Sequence, residues 1–529
     1  MRSVEIVLGL VLLSTVVAAL AGRLSAPAPS LLVLAGLFVG LLPGVPAVQL
    51  SPDVVSLVVL PPLLYAAGHD LSMKDLRSVW GPVTLLAVGL VLATAALVAS
   101  VAALLLGVAL PVGFVLGAIL ASTDPVAVTA LARTLRLPPR LEALVSAESL
   151  FNDATSLVLF RVAVGVVVVG GGVPWAAASV QLLRLGAGGA AVGLIVALGA
   201  GQVRRRTEDA VLETVITLVT PYASYVAAES VGASGATAVV VTGVTVGALG
   251  ARLSSADTRL HLSAVGGTVV FLLESVVFSL IGLQLPALVR ALQVPTLRWL
   301  LPALVVAASV VVMRALWVFP VAAVLQARDA APLSWRAPAV VTWAGTRGVV
   351  PLAAALSVPL TVDGGGAFPQ RDLLLVVAIS VSVLTLVVQG LTLKPLTLLS
   401  GVAEGPERER REQAVGEHAL AQAALDRAQE LADAEAAAPF LLTRLVEEVT
   451  ARRERARLRL EELDGAPADG TRGHLANTDT YRALLRDVLQ AETVRLARLL
   501  ADGEVSEGVW RRLQRSIDLR VTSLNSRAQ

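Results

Sequence analysis

Between residues 4 and 398 the chain returns about thirteen times to an apolar run of roughly 20 residues, the length needed to cross a bilayer as a helix. The runs fall at 4–22, 30–46, 51–68, 81–107, 111–133, 141–170, 186–203, 210–228, 233–250, 262–288, 297–325, 336–360 and 372–398. Hydrocarbon offers no partner to a backbone N–H or C=O, so a chain of this kind must form helices that satisfy their own backbone. The expected fold is therefore an all-α polytopic membrane protein. Composition agrees: 56% of the 529 residues are hydrophobic and the mean hydropathy is +0.77, more apolar than the roughly half found in soluble domains. The N-terminal run, Arg2 followed by apolar residues to Gly22, is longer than a secretory signal core and is read as a retained first helix.

Charge divides the chain in two. Through Val402 there are 22 basic and 17 acidic residues; the remainder has 20 and 23. The expected domains are thus a membrane domain, 1–402, and a helical tail, 403–529, rich in Glu, Arg, Ala and Leu. A Gly/Pro/Asp break at Asp464 to Gly473 splits the tail into two helical blocks. Within the membrane domain, Arg23, Lys74, Arg77, Arg133 to Arg140, Arg204 to Arg206, Arg252, Arg259, Arg328 and Arg336 fall on one side, while Arg290 and Arg298 fall on the other. The positive-inside rule makes the first side cytoplasmic. An odd number of spans then sets the N-terminus outside and the tail in the cytoplasm. The stretch Val173 to Leu185 is expected to lie along the interface. Neither part is basic enough for a nucleic-acid partner. Without cysteine there is no disulfide or thiolate site, and four histidines limit imidazole chemistry.

Ionisable groups at bilayer depth are rare and usually functional. Three stretches carry them. In Ala147 to Phe160, Glu148, Asn152 and Asp153 interrupt an apolar helix. Residues four apart share a face, which pairs Glu148 with Asn152 and Ser149 with Asp153. In Ser122 to Val126, Pro125 breaks a span beside Thr123 and Asp124. In Trp343 to Pro351, Gly345, Gly348 and Pro351 loosen a helix around Arg347. A guanidinium cannot be neutralised by losing its proton, so Arg347 needs a partner, for which Glu148 is the natural candidate. Arg314 and Glu274 are further intramembrane charges, read either as a structural ion pair or as part of transport. Two broken spans in different halves suit inverted repeats with a site at the midplane. Hard oxygen ligands favour an alkali cation or proton over a transition metal.

Six motifs run in order across the membrane domain: LPPLLY at Leu60 to Tyr65, STDPVAV at Ser122 to Val128, ESLFNDATSLVLF at Glu148 to Phe160, TPYASYVAAE at Thr220 to Glu229, FSLIGLQL at Phe278 to Leu285 and WAGTRGVVPLAAALS at Trp343 to Ser357. Together they resemble the NhaP-type, sodium/proton exchanger branch of the monovalent cation/proton antiporters. The resemblance implies a homodimer in the cell membrane with two crossing broken helices. It implies that Asp153 is the carboxylate that binds cation or proton, with Asn152 beside it and Thr123, Asp124 and Ser149 completing the ion's surroundings. Glu148 and Arg347 are expected to brace the site as an ion pair. Relatives with Asn-Asp at this place are electroneutral, and one carboxylate neutralised by one proton or one cation agrees with that.

One departure stands out: many relatives follow LPPLLF with a Glu, where this chain has Tyr65, Ala66 and Ala67. That leaves sodium against potassium open. His69 is read as interfacial, and Arg161, about 12 Å from Asp153 along the helix, as either tuning the site or reaching outward. The expected activity is antiport of Na+ (alternatively K+ or Li+) against H+ by alternating access, serving pH and sodium homeostasis, with no cofactor and no enzymatic reaction. The rival readings are a passive cation channel and a non-transporting ion sensor.

Overall fold

The computed structural model describes residues 2–24, 27–43, 55–124, 138–170, 175–207, 209–253, 256–292, 295–328, 334–402, 406–434 and 438–463, and near the C-terminus 489–496, 498, 499, 502 and 513. Pro125 and the Asp464 to Gly473 break fall outside these. The chain divides into two compact units, Met1–Glu404 and Gly405–Gln529. Among the described residues the structure is almost wholly helical, with one isolated bridge between Thr361 and Ala367.

In the first unit the helices are α1 (Arg2–Leu24), α2 (Ala28–Leu41) and α3 (Leu60–His69, entered through a wide turn Val55–Val59). A continuous run follows, α4, made of Met73–Thr84, wide turns at Leu85–Leu90, and Val91–Leu106. Then come α5 (Leu110–Ala121), α6 (Pro139–Val169), α7 (Trp175–Arg204), α8 (Ala210–Ser230), α9 (Gly235–Leu253), α10 (Ala256–Ala291), α11 (Thr296–Arg328), α12 (Arg336–Trp343), α13 (Val349–Leu356) and α14 (Arg371–Ser400). Over its described residues each apolar run read from the sequence meets one or more of these helices, and the run 336–360 is divided between α12 and α13. Among the described residues seven helical runs are long and apolar enough to cross a membrane, and five shorter apolar helices stand among them. The described part of the stretch expected along the interface, from Trp175, is helical and continuous with the rest of α7.

Packing sorts these helices into two bundles. One joins α4, α5, α6, α11, α12, α13 and α14; the other joins α1, α2, α3, α7, α8, α9 and α10. The first holds all three stretches that carry membrane-embedded charge. The second is held by small residues, as expected where helices cannot rely on hydrophobic burial against lipid. A Cβ on Gly36 of α2 would lie 2.1 Å from the Ser279 carbonyl of α10, and one on Gly282 would lie 2.1 Å from the Val33 carbonyl. The backbones of α2 and α10 therefore touch where no side chain fits. Arg204 was grouped by sequence with a basic loop, yet it is buried and donates to Glu213 from Nε at 3.0 Å and Nη2 at 2.9 Å. That pair fastens the end of α7 to the start of α8.

The second unit contains α15 (Pro406–Asp433) and α16 (Pro439–Leu463), packed as an antiparallel hairpin. Ala414, Ala421, Leu425, Leu442 and Ala456 are buried in this unit, and Arg459 reaches Glu417 at 3.2 Å. On the surface of α16, Glu454, Arg457 and Glu461 form an i, i+3, i+4 ladder.

The α2–α10 contact gives a test. Gly282→Val should destabilise the protein by about 1–3 kcal/mol through overpacking, read as a lower melting temperature in detergent. An unchanged melting temperature would mean the two backbones are not held at this spacing.

Candidate functional site

The site forms where two interrupted helices cross. Helix α5 stops at Ala121, and Ser122 turns into extended backbone at φ −69° and ψ 143°. The other interruption is Ala344 to Gly348, between α12 and α13. Each supplies the other's missing backbone partner: the Asp124 N–H donates to the Thr346 carbonyl at 2.8 Å, and the Thr346 hydroxyl donates to the Asp124 carbonyl at 3.0 Å. Irregular backbone is tolerated in a membrane when protein satisfies it in this way.

Two glycines make the crossing possible. A Cβ on Gly348 would fall 1.5 Å from Asp124 Oδ2, and one on Gly345 would fall 2.6 Å from Cδ of Arg314. The glycines leave room for a carboxylate and a guanidinium side chain. Asp124 also lies beside the residue that precedes α13, where the unpaired N–H groups of a helix start favour negative charge.

Helix α6 closes the other side of the site. Ser149 Oγ donates to the Thr123 carbonyl at 2.6 Å; Asn152 Nδ2 donates to Thr123 Oγ1 at 2.6 Å while its Oδ1 accepts from the Thr123 N–H at 3.3 Å. Asn152 thus works as a two-pronged splint on the broken strand of backbone. Beside it the Ser122 hydroxyl donates to the Asp153 carboxylate. Asp153 is buried, at 7% exposure, and no basic side chain among the described residues pairs with it. Asp124 and Glu148 lie within electrostatic reach of Asp153, and Glu274 of α10 within reach of Asp124. The break after α5 and helix α6 thus bring Ser122, Thr123, Ser149, Asn152 and Asp153 together, with the Asp124 side chain beside Gly348.

Glu148 has a different partner from the one expected. Its carboxylate receives both ends of Arg314: Nη1 at 2.5 Å and Nη2 at 2.7 Å, with both side chains dry. Arg314 is held further by its Nε donating to the Val341 carbonyl at 3.1 Å. The Glu148–Arg347 brace is therefore replaced by Glu148–Arg314, a bidentate pair between α6 and α11. Arg347 folds back along its own break and donates from Nη1 to the Gly345 carbonyl at 2.5 Å, leaving its buried Nε without a partner. Arg314 belongs to no apolar-run break, so motif reading ranked it below Arg347. Ser122 is the second residue missed, although it stands next to Thr123 at the point where α5 must end. His69 closes α3, stacked on Tyr65 at 5.8 Å, and neither residue is bonded to the crossing.

Residues 10–399 match the family described as sodium/hydrogen exchanger, transmembrane. An uncharacterised Na(+)/H(+) exchanger of Mycobacterium tuberculosis is 33% identical, covering 98% of this chain and 97% of its own. The Na(+)/H(+) antiporter ApNhaP of Aphanothece halophytica is 32% identical over 69% of this chain and 68% of its own. The solved structure of the sodium proton antiporter MjNhaP1 from Methanocaldococcus jannaschii at pH 8 superposes with a TM-score of 0.62 at 21% identity, over 76% of this chain and 99% of that one.

The exchange of partners gives a test. Arg314→Gln strands the Glu148 charge and should destabilise the protein by about 3–5 kcal/mol, read by thermal unfolding in detergent. Arg347→Gln leaves Glu148 paired and should lower the melting temperature less. Equal losses, or a larger one for Arg347, would contradict the pairing.

Proposed function

The chain belongs to the sodium/hydrogen exchanger family, and from that premise we propose that it exchanges Na+ for H+, one for one, with both competing for Asp153. It is a transporter and not an enzyme. The observation that carries the proposal is the contrast between two buried carboxylates on one helix. Glu148 is neutralised by Arg314. Asp153, five residues on, has the Ser122 hydroxyl and no basic partner among the described residues. A carboxylate buried in that way is neutralised by whatever can reach it, a proton or a small cation.

Competition for one group is what makes exchange obligatory. With Asp153 holding either a proton or a Na+, the loaded bundle is equally neutral and can move; with Asp153 bare, a charge would have to cross a low-dielectric barrier, and the bundle stays. Ser122, Ser149, Thr123 and Asp124 complete the cation's oxygen shell, and Asn152 holds the crossing in register. The two-bundle construction supports alternating access, with α4 to α6 and α11 to α14 moving against the rest. Too few protons starve one half of the cycle and too many displace the cation from the other, so the rate is bell-shaped in pH. K+ and Li+ are the other cations to be tested at the site. The protein is proposed to work as a homodimer in the cell membrane, N-terminus outside and tail in the cytoplasm.

Asp153→Asn should abolish cation-driven proton movement in proteoliposomes while elution on size exclusion and the melting temperature stay close to the parent's. Exchange at the parent rate in this variant would remove Asp153 from the mechanism.

A further inference from the structure

Arg161 lies eight residues beyond Asp153 on α6, about 12 Å along the helix, and its partner is on the other bundle. Arg161 forms an ion pair with Glu229 at the end of α8, and Nη1 reaches the Ala233 carbonyl at 3.4 Å. Glu229 is fixed from behind: Oε1 accepts the Gly235 N–H at 3.0 Å, at the start of α9. A Cβ on Gly235 would lie 2.7 Å from that same oxygen, so only glycine leaves the carboxylate its place. The pair therefore ties the helix that carries Asp153 to the corner between α8 and α9.

A cavity of about 390 Å³ adjoins the pair and runs along the seam between the bundles. Its wall includes Leu157, one turn from Asp153, together with Arg161, Val164 and Ser357 on one side and Ser56 and Tyr225 on the other. Of the two ion pairs given for α6 to distant helices among the described residues, one stays within its bundle and the other leaves it. Glu148–Arg314 is dry, at 1% and 3% side-chain exposure, and joins helices of the same bundle. Arg161–Glu229 is one-third exposed, at 33% and 34%, and joins different bundles. A dry bidentate pair resists separation, whereas a pair open to water is weak enough to break and remake.

We propose that Arg161 and Glu229 are the latch on this end of the seam: they hold the cavity closed in the state seen here and part when α6 moves to open Asp153 toward that side. Arg161 then leaves with α6, and Glu229 stays with α8 and α9. This rests on the alternating-access reading, and it assigns to Arg161 a gating role separate from ion binding.

The absence of cysteine in the chain makes Arg161→Cys/Glu229→Cys a unique thiol pair. In proteoliposomes, bridging the two thiols with a bifunctional methanethiosulfonate should stop alkali-cation-driven proton exchange, and reduction should restore it, while each single-cysteine variant treated alike keeps its rate. A bridged protein that exchanges at its untreated rate overturns the latch. The untreated parent is measured alongside: if it moves no protons with any alkali cation, the exchange reading itself fails, which is a separate result. If the double variant is inactive before bridging, the decision passes to a reporter cysteine, Ser357→Cys, in the cavity wall. Adding Glu229→Gln should raise its labelling by a water-soluble maleimide about threefold, the population shift that losing a partly exposed ion pair gives. Unchanged labelling overturns the latch.

Discussion

Two reciprocal hydrogen bonds, Asp124 N–H to the Thr346 carbonyl and the Thr346 hydroxyl to the Asp124 carbonyl, are what allow the rest of the site to exist. A helix that stops inside a bilayer leaves N–H and C=O groups that hydrocarbon cannot satisfy. Here each interruption answers the other, and α6 answers what is left through Ser149 and Asn152. Once the backbone is settled in this way, the helix ends become an asset. At the crossing the C-terminal end of α5 and the N-terminal end of α13 carry partial charges of opposite sign.

Charge in this centre is divided between fixed and exchangeable groups. Glu148 and Arg314 satisfy one another from both ends of the carboxylate and join α6 to α11. That pair ties two helices of one bundle together, with both side chains buried. Asp153 is on the same helix, bonded by the Ser122 hydroxyl and with no basic partner among the described residues. The distinction arises from geometry as fine as one turn of helix. Glu148 faces α11, and Asp153 faces the break in α5. The seam between bundles holds both kinds of contact: Ser30 of α2 donates to the Leu386 carbonyl of α14 in a buried bond, while the Arg161–Glu229 pair is one-third exposed.

Much of this was legible in the sequence because membrane helices are written in long apolar runs, and each run met helix over its described residues. Ser149, Asn152 and Asp153 were readable as neighbours because helical periodicity fixes who shares a face. Thr123 and Asp124 were readable because they sit where an apolar run is interrupted. What failed to show was pairing between distant elements. Arg314 lies 166 residues from Glu148; the sequence marks it as an intramembrane charge but does not say which carboxylate it meets. Arg347 was preferred because its glycine-rich surroundings drew attention, yet the same loose backbone lets it turn back to Gly345. Arg204 read as one of three loop arginines, since its burial depends on Glu213 closing over it from the next helix. Arg161 read as a residue acting on Asp153 or reaching to the surface, because its partner is set by how α8 and α9 meet α6. These are consequences of packing, which local pattern does not encode.

The central claim is that one buried carboxylate is neutralised in turn by one proton and one alkali cation. The most direct measurement is the collapse of an imposed pH gradient in proteoliposomes on adding Na+, K+ or Li+, with the membrane voltage either free or clamped by potassium and valinomycin. The account predicts that Na+ collapses the gradient at the same rate under both conditions, because no net charge moves. A rate that follows the clamped voltage would contradict one-for-one exchange at a single carboxylate, and a gradient untouched by every cation would contradict exchange altogether.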